Sequence, residues 1–331
     1  MRIVRRVLLT AATATAWVVA AGGWCWYQIN VEPAAVPGGA LVSISSGQPF
    51  AKTAQQLEAA GVVRSALVLR LLAHWTGSDR QVHSGDFRFD KPLRVTDVLE
   101  VLGKRGNGLH KVTIPEGSTL RDIADLLRAA GFGGSDQFLC LTSDPRFLES
   151  LDLPGSGAEG YLFPDTYSFS WSVAPAEILQ AMTARFRENV AGLEARRRQS
   201  GLRLSELVTL ASIVEKETGS RLERNLVSAV FYNRLRLGMR LQADPTAVYG
   251  RESGTIPSAA DLDMESPYNT YLHAGLPPGP ICSPGLAALE AALSPANVDY
   301  LYFVARGDGM HAFASNLDEH NRNVARLRHG R

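Results

Sequence analysis

Two glutamates, Glu215 and Glu217, close an apolar run in which Leu207, Leu210, Ala211 and Val214 share one face of a helix expected over residues 205–218. A glutamate at the end of such a helix meets the negative end of the helix dipole, which disfavours its charged form. Burial against apolar neighbours disfavours that form further and raises the carboxyl's pKa. A carboxyl held protonated in this way is equipped to be a general acid. Two positions on a helix diverge by about 200°, so the two glutamates are not a catalytic pair. Spacing leaves open which of them is buried. Lys216 points outward between them.

Other groups suited to a polar ligand recur on both sides of this helix. Glu159 to Tyr167 reads EGYLFPDTY, with Glu159 and Tyr161 at its start. Aromatic faces with acceptors beside them suit sugar rings, which are apolar on their faces and polar at their edges; the competing reading is a buried structural turn. A second helix carries Leu222, Leu226, Val230 and Phe231 on its core side, Asn233 and Arg234 near its end, and Gly238 as its stop. Gln242, Asp244, Pro245 and Tyr249 follow. Asp244 before Pro245 also reads as an N-cap of a short helix. Asn269 and Tyr271 lie in SPYNTY, ahead of GLPPGP, whose prolines and glycines fix a loop fit to wall a cleft. Ser283-Pro284 opens a helix to Leu293. Residues 300–305 and 311–314 flank Gly307-Asp308-Gly309 as a β-hairpin. His311 and His320 have no clustered third ligand, so no metal and no cofactor is expected. Cys25, Cys140 and Cys282 are too far apart for a disulfide framework.

The elements that must carry these residues follow from the rest of the chain. The 331 residues allow two or three small domains, and a formal net charge of +1 gives no case for nucleic acid. Arg2, Arg5 and Arg6 precede an uncharged run over 7–30 that ends near Trp24, Trp26 and Tyr27. About 20 apolar residues span a bilayer, and positive charge before the span holds the N-terminus in the cytoplasm. The sequence therefore predicts a cytoplasmic tail (1–6), a single membrane anchor (7–30), a linker rich in Pro, Gly and Ala (31–40) and a chain folded outside the cytoplasm. A cleaved signal peptide is the competing reading.

Two segments align without gaps at an offset of 70 residues, Val42–Gly61 and Val112–Gly131, with eight of twenty positions identical. Each reads as a strand, a turn at Gly47 or Gly117, and a helix stopped at Gly61 or Gly131. The first copy continues through a helix near Ser65–Thr76, a strand Gly85–Phe89 and a helix Val95–Leu102. A strand–helix–helix–strand unit resembles a LysM-like glycan binder; a pair of spacer subdomains is the alternative.

The run of LASIVEKET, VFYNRLRLGMRLQADPTAVYG, SPYNTY, GLPPGPICSPG and YLYFVARGDGMHAF, with EGYLFPDTY ahead of it, resembles the MltG/YceG-like endolytic murein transglycosylases. The match covers roughly half the chain, from Glu159 to about Val324, with several motifs in order. The resemblance implies an α+β protein: the anchor, a LysM-like region over 41–157, then a mainly helical catalytic domain over 158–325 with a small hairpin. It implies peptidoglycan as substrate and a catalytic glutamate within IVEKET. Glu217, followed by Thr218, fits a pattern of lysozyme-like transglycosylases, a Glu before a hydroxyl residue at a helix end. Glu159, Tyr161, Asn233, Gln242, Asp244, Tyr249, Asn269 and Tyr271 are the expected cleft residues. The resemblance further implies cell-wall synthases as partners and cutting of nascent strands, which ends their elongation. A lysozyme-like hydrolase and a non-catalytic glycan-binding anchor are the rival readings.

Overall fold

The computed structural model describes residues 22–23, 39–44, 47–104, 109–132, 134–153, 157–171, 173–252 and 254–329. Among them no helix is long and apolar enough to cross a membrane. The expected span over 7–30 lies, apart from Gly22 and Gly23, outside the described residues, as does all of the 31–40 linker before Gly39.

The chain is a mixed α+β protein of two compact units. The first comprises residues 1–110 and 168–172. Strand β1 (Ala40–Ile44) is followed by helices α1 (Phe50–Ala59) and α2 (Ala66–Thr76), strand β2 (Gly85–Phe89) and helix α3 (Val95–Gly103). Alternate residues of β1 are buried, as the two-residue period of a half-covered strand requires. β1 and β2 run antiparallel with Val42 opposite Phe87. Their inner faces pack with Ala54, Leu57, Leu69, Val98 and Leu102 into one core. Ser65 caps α2 by accepting the Val68 N–H (3.4 Å), and Gly77 ends it in the left-handed region that glycine adopts without a Cβ clash.

The second unit holds residues 111–167 and 173–331. Strand β3 (His110–Thr113), which enters this unit at Lys111, is followed by α4 (Leu120–Ala129), α5 (Ser135–Leu141) and α6 (Pro145–Ser150), and β3 pairs with β4 (Thr166–Phe169), which leaves the unit after Tyr167. Then come α7 (Pro175–Ala191), α8 (Glu194–Ser200), α9 (Leu204–Glu217), α10 (Arg224–Arg236), the short α11 (Asp244–Ala247) and α12 (Ala259–Leu262), α13 (Leu286–Leu293), the hairpin β5 (Tyr302–Ala305) and β6 (His311–Ala314), and α14 (Leu317–His329). The unit beginning at Lys111 includes the second repeat copy, which the sequence reading grouped with the module before it.

Helix α9 differs from its expected one-sided character: every residue from Leu207 to Val214 is buried. It packs on α10, α11 and α13, and a helix enclosed on all sides needs apolar or satisfied polar groups all round. Ser212 meets that demand by donating to Thr209 O (2.8 Å) and accepting the Ile281 N–H (3.0 Å). Leu222, expected in the core, lies before α10 and is 83% exposed, whereas Val227, Val230 and Phe231 are buried.

Candidate active site

The two glutamates at the end of α9 occupy opposite environments. Glu215 is stapled: Oε1 accepts from Arg224 Nη2 (2.8 Å) and Oε2 from the Gly285 N–H (2.9 Å). Both partners of that ion pair are 5% exposed. Burial raises the Glu215 carboxyl, while the Gly285 amide and Arg224 draw it back.

Glu217 has no salt-bridge partner among the described residues. Its carboxyl lies near the backbone amide of Asp244 and lines a cleft of about 420 Å³. Burial against the cleft wall pushes its pKa up to about 8, and the Asp244 carboxylate adds to the rise; Arg234 and the Asp244 amide oppose it. The group is thus kept protonated at neutral pH, as a general acid must be.

The cleft is lined by Arg234, Gln242, Asp244, Tyr271, His311 and His320, among others. Asp244 Oδ1 accepts from the Tyr271 hydroxyl at 2.5 Å. Ala243, not Asp244, is the N-cap of α11, so the Asp244 side chain is free of the capping duty its sequence context suggested. Gln242 holds a φ of +49° that L-residues rarely adopt, fixed by its N–H to Thr270 O (3.1 Å) and by Arg234 Nη1 on its Oε1 (3.3 Å). Strain of this kind persists only where surroundings impose it, and here it aims the chain into the cleft wall.

Tyr249 and Glu159 lie on the far side of Asp244. Tyr249 lines a second cavity of about 240 Å³ with Thr119, Lys216, Asp244 and Arg251, so Asp244 borders both spaces. Glu159 Oε2 accepts from the Tyr249 hydroxyl (3.0 Å) and the Leu120 N–H (3.3 Å). Burial lifts Glu159 to about 7 against those two bonds, and its Oε1 is buried without a partner.

Three expected cleft residues are placed elsewhere. Tyr161 is 1% exposed and packs edge-on against Phe186 (5.3 Å) in the core, so it is a core residue and not a cleft wall. Asn269 is fully buried: its amide donates to Leu262 O (3.0 Å) and Met264 O (2.9 Å), and its Oδ1 accepts from the Tyr271 N–H (3.0 Å). It shapes the loop that carries Tyr271. Asn233 donates to Val298 O (2.8 Å) and Tyr300 O (2.9 Å), tying α10 to the approach to β5. In all three a polar or aromatic group answers a packing or backbone need that local sequence does not display.

Two cleft features have contacts that the local sequence does not display. Arg234 is buried and donates to Leu301 O (2.6 Å) and Leu241 O (2.8 Å), with its guanidinium over the Tyr302 ring (5.1 Å). His311 is held by Glu223, which lies 88 residues earlier, at 2.8 Å. A sequence-distant pair of this sort leaves no local spacing signal.

A sequence profile described as the YceG-like family matches residues 42–326. A protein named endolytic murein transglycosylase from Streptococcus pneumoniae strain D39 is 33% identical over 93% of this chain, and one of the same name from Bacillus subtilis is 30% identical over 85%. The chain spans 63% of the length of the pneumococcal relative and 82% of the Bacillus one. A crystal structure of a yceG-like protein from Listeria monocytogenes superposes with a TM-score of 0.63 at 30% identity, covering 86% of this chain and 99% of its own. The chain belongs to the YceG-like family.

Proposed function

We propose that this protein is an endolytic lytic transglycosylase that cuts the MurNAc–GlcNAc bond of peptidoglycan strands, with Glu217 as its acid. One observation carries the assignment: Glu217 reaches an open cleft with its pKa pushed up to about 8 and no cation paired to it among the described residues, whereas Glu215 is consumed by Arg224 and the Gly285 amide. The names of the relatives agree with this reading.

Protonated Glu217 gives its proton to the leaving glycosidic oxygen. The C6 hydroxyl of the muramoyl sugar attacks its own anomeric carbon and closes a 1,6-anhydro ring, so no water enters. An internal nucleophile gains several kcal/mol from proximity. In the simplest scheme the Glu217 carboxylate then takes the hydroxyl's proton. Gln242, Asp244 and Tyr271 line the strand's path beside Glu217, and Tyr249 extends it past Asp244, with Glu159 behind. Residues 7–30 anchor the protein in the inner membrane with the catalytic unit outside the cytoplasm. The β1–α1–α2–β2 order fits a LysM-like module holding glycan, and cell-wall synthases supply the nascent strand.

The test is mass spectrometry of uncrosslinked peptidoglycan strands digested with the full chain in detergent, beside Glu217→Gln. Anhydromuramic ends from the wild type and none from the variant are expected. Reducing ends would make the enzyme a hydrolase, with Asp244 as the second carboxylate.

A further inference from the structure

The cleft that Glu217 lines is lined by a second group capable of acid–base work, His311. His311 opens strand β6, and its backbone N–H donates to Glu223 Oε1 (3.0 Å) while its ring Nδ1 lies 2.8 Å from Glu223 Oε2. The His311 and Glu223 side chains are 11% and 5% exposed. Both carboxylate oxygens are thus spent on one residue, from a position that immediately precedes α10, where the helix N-terminus favours negative charge. A carboxylate only accepts, so Nδ1 carries a proton, and in the neutral ring Nε2 is left as the acceptor. Phe303 packs edge-on to the ring at 5.3 Å and holds its plane. The ring also lines the cleft into which Glu217 opens. An orienting carboxylate, a fixed imidazole and a free nitrogen at a reaction cleft form a general-base arrangement.

We infer that His311, oriented by Glu223, is a further catalytic residue: its Nε2 accepts the proton of the attacking C6 hydroxyl while Glu217 protonates the leaving oxygen. The inference rests on the proposed transglycosylase reading and divides between two groups the work the simplest scheme gives to one. The bond from the anomeric carbon to the leaving oxygen breaks and that oxygen takes the Glu217 proton. The bond from the C6 oxygen to the anomeric carbon forms and its proton passes to Nε2. Glu217 ends as a carboxylate and His311 as an imidazolium, and solvent exchange restores both. Glu223 touches no substrate and is a positioning residue.

The groups around this wall are Glu223 and Arg234 at the two ends of α10, Glu217 from α9, Asp244 from the start of α11, Tyr271 from a loop, and His320 from α14. His320 stacks on Tyr302 (5.2 Å), and its Nδ1 is buried without a partner. Among the described residues His311 is the imidazole in the cleft with a carboxylate on its ring.

The experiment compares the full chain with His311→Gln and Glu223→Gln on uncrosslinked peptidoglycan strands across pH. His311→Gln should lower kcat about a hundredfold or more with KM held within about twofold, and erase the acidic limb of the rate profile. Added imidazole should restore part of the rate. Glu223→Gln should lower kcat about tenfold or more and reshape the same limb, because the ring loses its fixed tautomer. A His311→Gln enzyme within about threefold of wild type, or one slowed with its acidic limb intact, overturns the inference. Nitrogen-15 NMR of the histidines in the wild-type chain gives an answer even if a variant misfolds: a proton on Nδ1 and a bare Nε2 is expected for His311, and the reverse tautomer overturns it. Product analysis separates the two readings, since reducing ends would remove the transglycosylase assignment while leaving the His311 dependence readable.

Discussion

The two copies of the strand–turn–helix repeat have become different things. Both helices stop the same way: Gly61 and Gly131 take positive φ, and the next residue's N–H returns to Leu57 O or Leu127 O, each at 2.9 Å. Both turns need a left-handed glycine, Gly47 at φ +75° and Gly117 at +78°. The first copy's described side-chain bonds at its turn, from Gln48 to Thr53 (2.9 Å) and Gln56 (2.7 Å), stay within the motif. The second copy's turn is sewn into the candidate active site. Gly117 N–H donates to Ser283 O (2.9 Å), Ser283 N–H donates to Ser118 O (2.8 Å), and Lys216 Nζ donates to Gly117 O (3.2 Å). Glu116 lies 3.5 Å from Arg224, and the first amide of α4 reaches Glu159. One motif serves as a self-contained fold element in one place and as a brace for the catalytic helix in the other. Repetition preserves the hydrogen-bond geometry of a motif, and the residues grafted onto its turn decide its task.

The largest test of this contrast is Arg224→Ala. Removing the guanidinium leaves Glu215 as an unpaired buried charge and frees Glu116 from the brace, at a cost of about 3–5 kcal/mol in thermal or denaturant unfolding. An unfolding curve close to wild type would mean that the brace carries no strength. Next are the equivalent core leucines, Leu57→Ala and Leu127→Ala. Each deletes a fully buried side chain and should cost about 3 kcal/mol, but below the unfolding transition only Leu127→Ala should slow strand cleavage. Equal effects on cleavage would erase the distinction between the copies. The paired glycine changes Gly47→Ala and Gly117→Ala should each cost about 1–2 kcal/mol, because a Cβ is strained at positive φ. Only at Gly117 would the new methyl touch the end of α9, in van der Waals contact with Lys216 Cδ at 3.7 Å and Glu215 Cγ at 3.8 Å, so the backbone strain there should reach the site and activity should fall there alone.

The smallest effect concerns Glu159, which accepts from the second copy's Leu120. Its folded pKa of about 7 lies above that of an unfolded glutamate, so the folded state holds the proton more tightly. The wild type should therefore lose stability as pH rises from about 4.3 through about 7, and Glu159→Gln should flatten that slope. Melting curves at pH 5 and pH 8 on both proteins check the sign.

Much of this scaffold is legible in the sequence because it is local. Helical periodicity and stop glycines place α9 within one residue at each end of its expected range, and Gly307-Asp308-Gly309 marks the hairpin. The repeat is legible because its glycines mark positions where the backbone must be left-handed. The candidate site is legible only in part. The choice between Glu215 and Glu217 turns on Arg224 and Gly285, which the fold brings to one flank of α9 from across a turn and from 70 residues away. Tyr161 and Asn269 have side chains fit for sugar but are needed by the core and by a loop backbone. Arg234 and the Glu223–His311 pair became visible only when β5 and β6 folded against α10.

The central claim is that the cleft holds Glu217 protonated so that it can serve as the acid. The most direct test is the pH dependence of kcat/KM for strand cleavage by the wild type and Asp244→Asn. The wild type should lose activity as pH rises through about 8, because deprotonated Glu217 cannot donate. Asp244→Asn removes the neighbouring negative charge while leaving the backbone amide, so its alkaline limb should move to lower pH. A wild-type limb absent near that value, or one that stays in place in Asp244→Asn, would contradict the assignment.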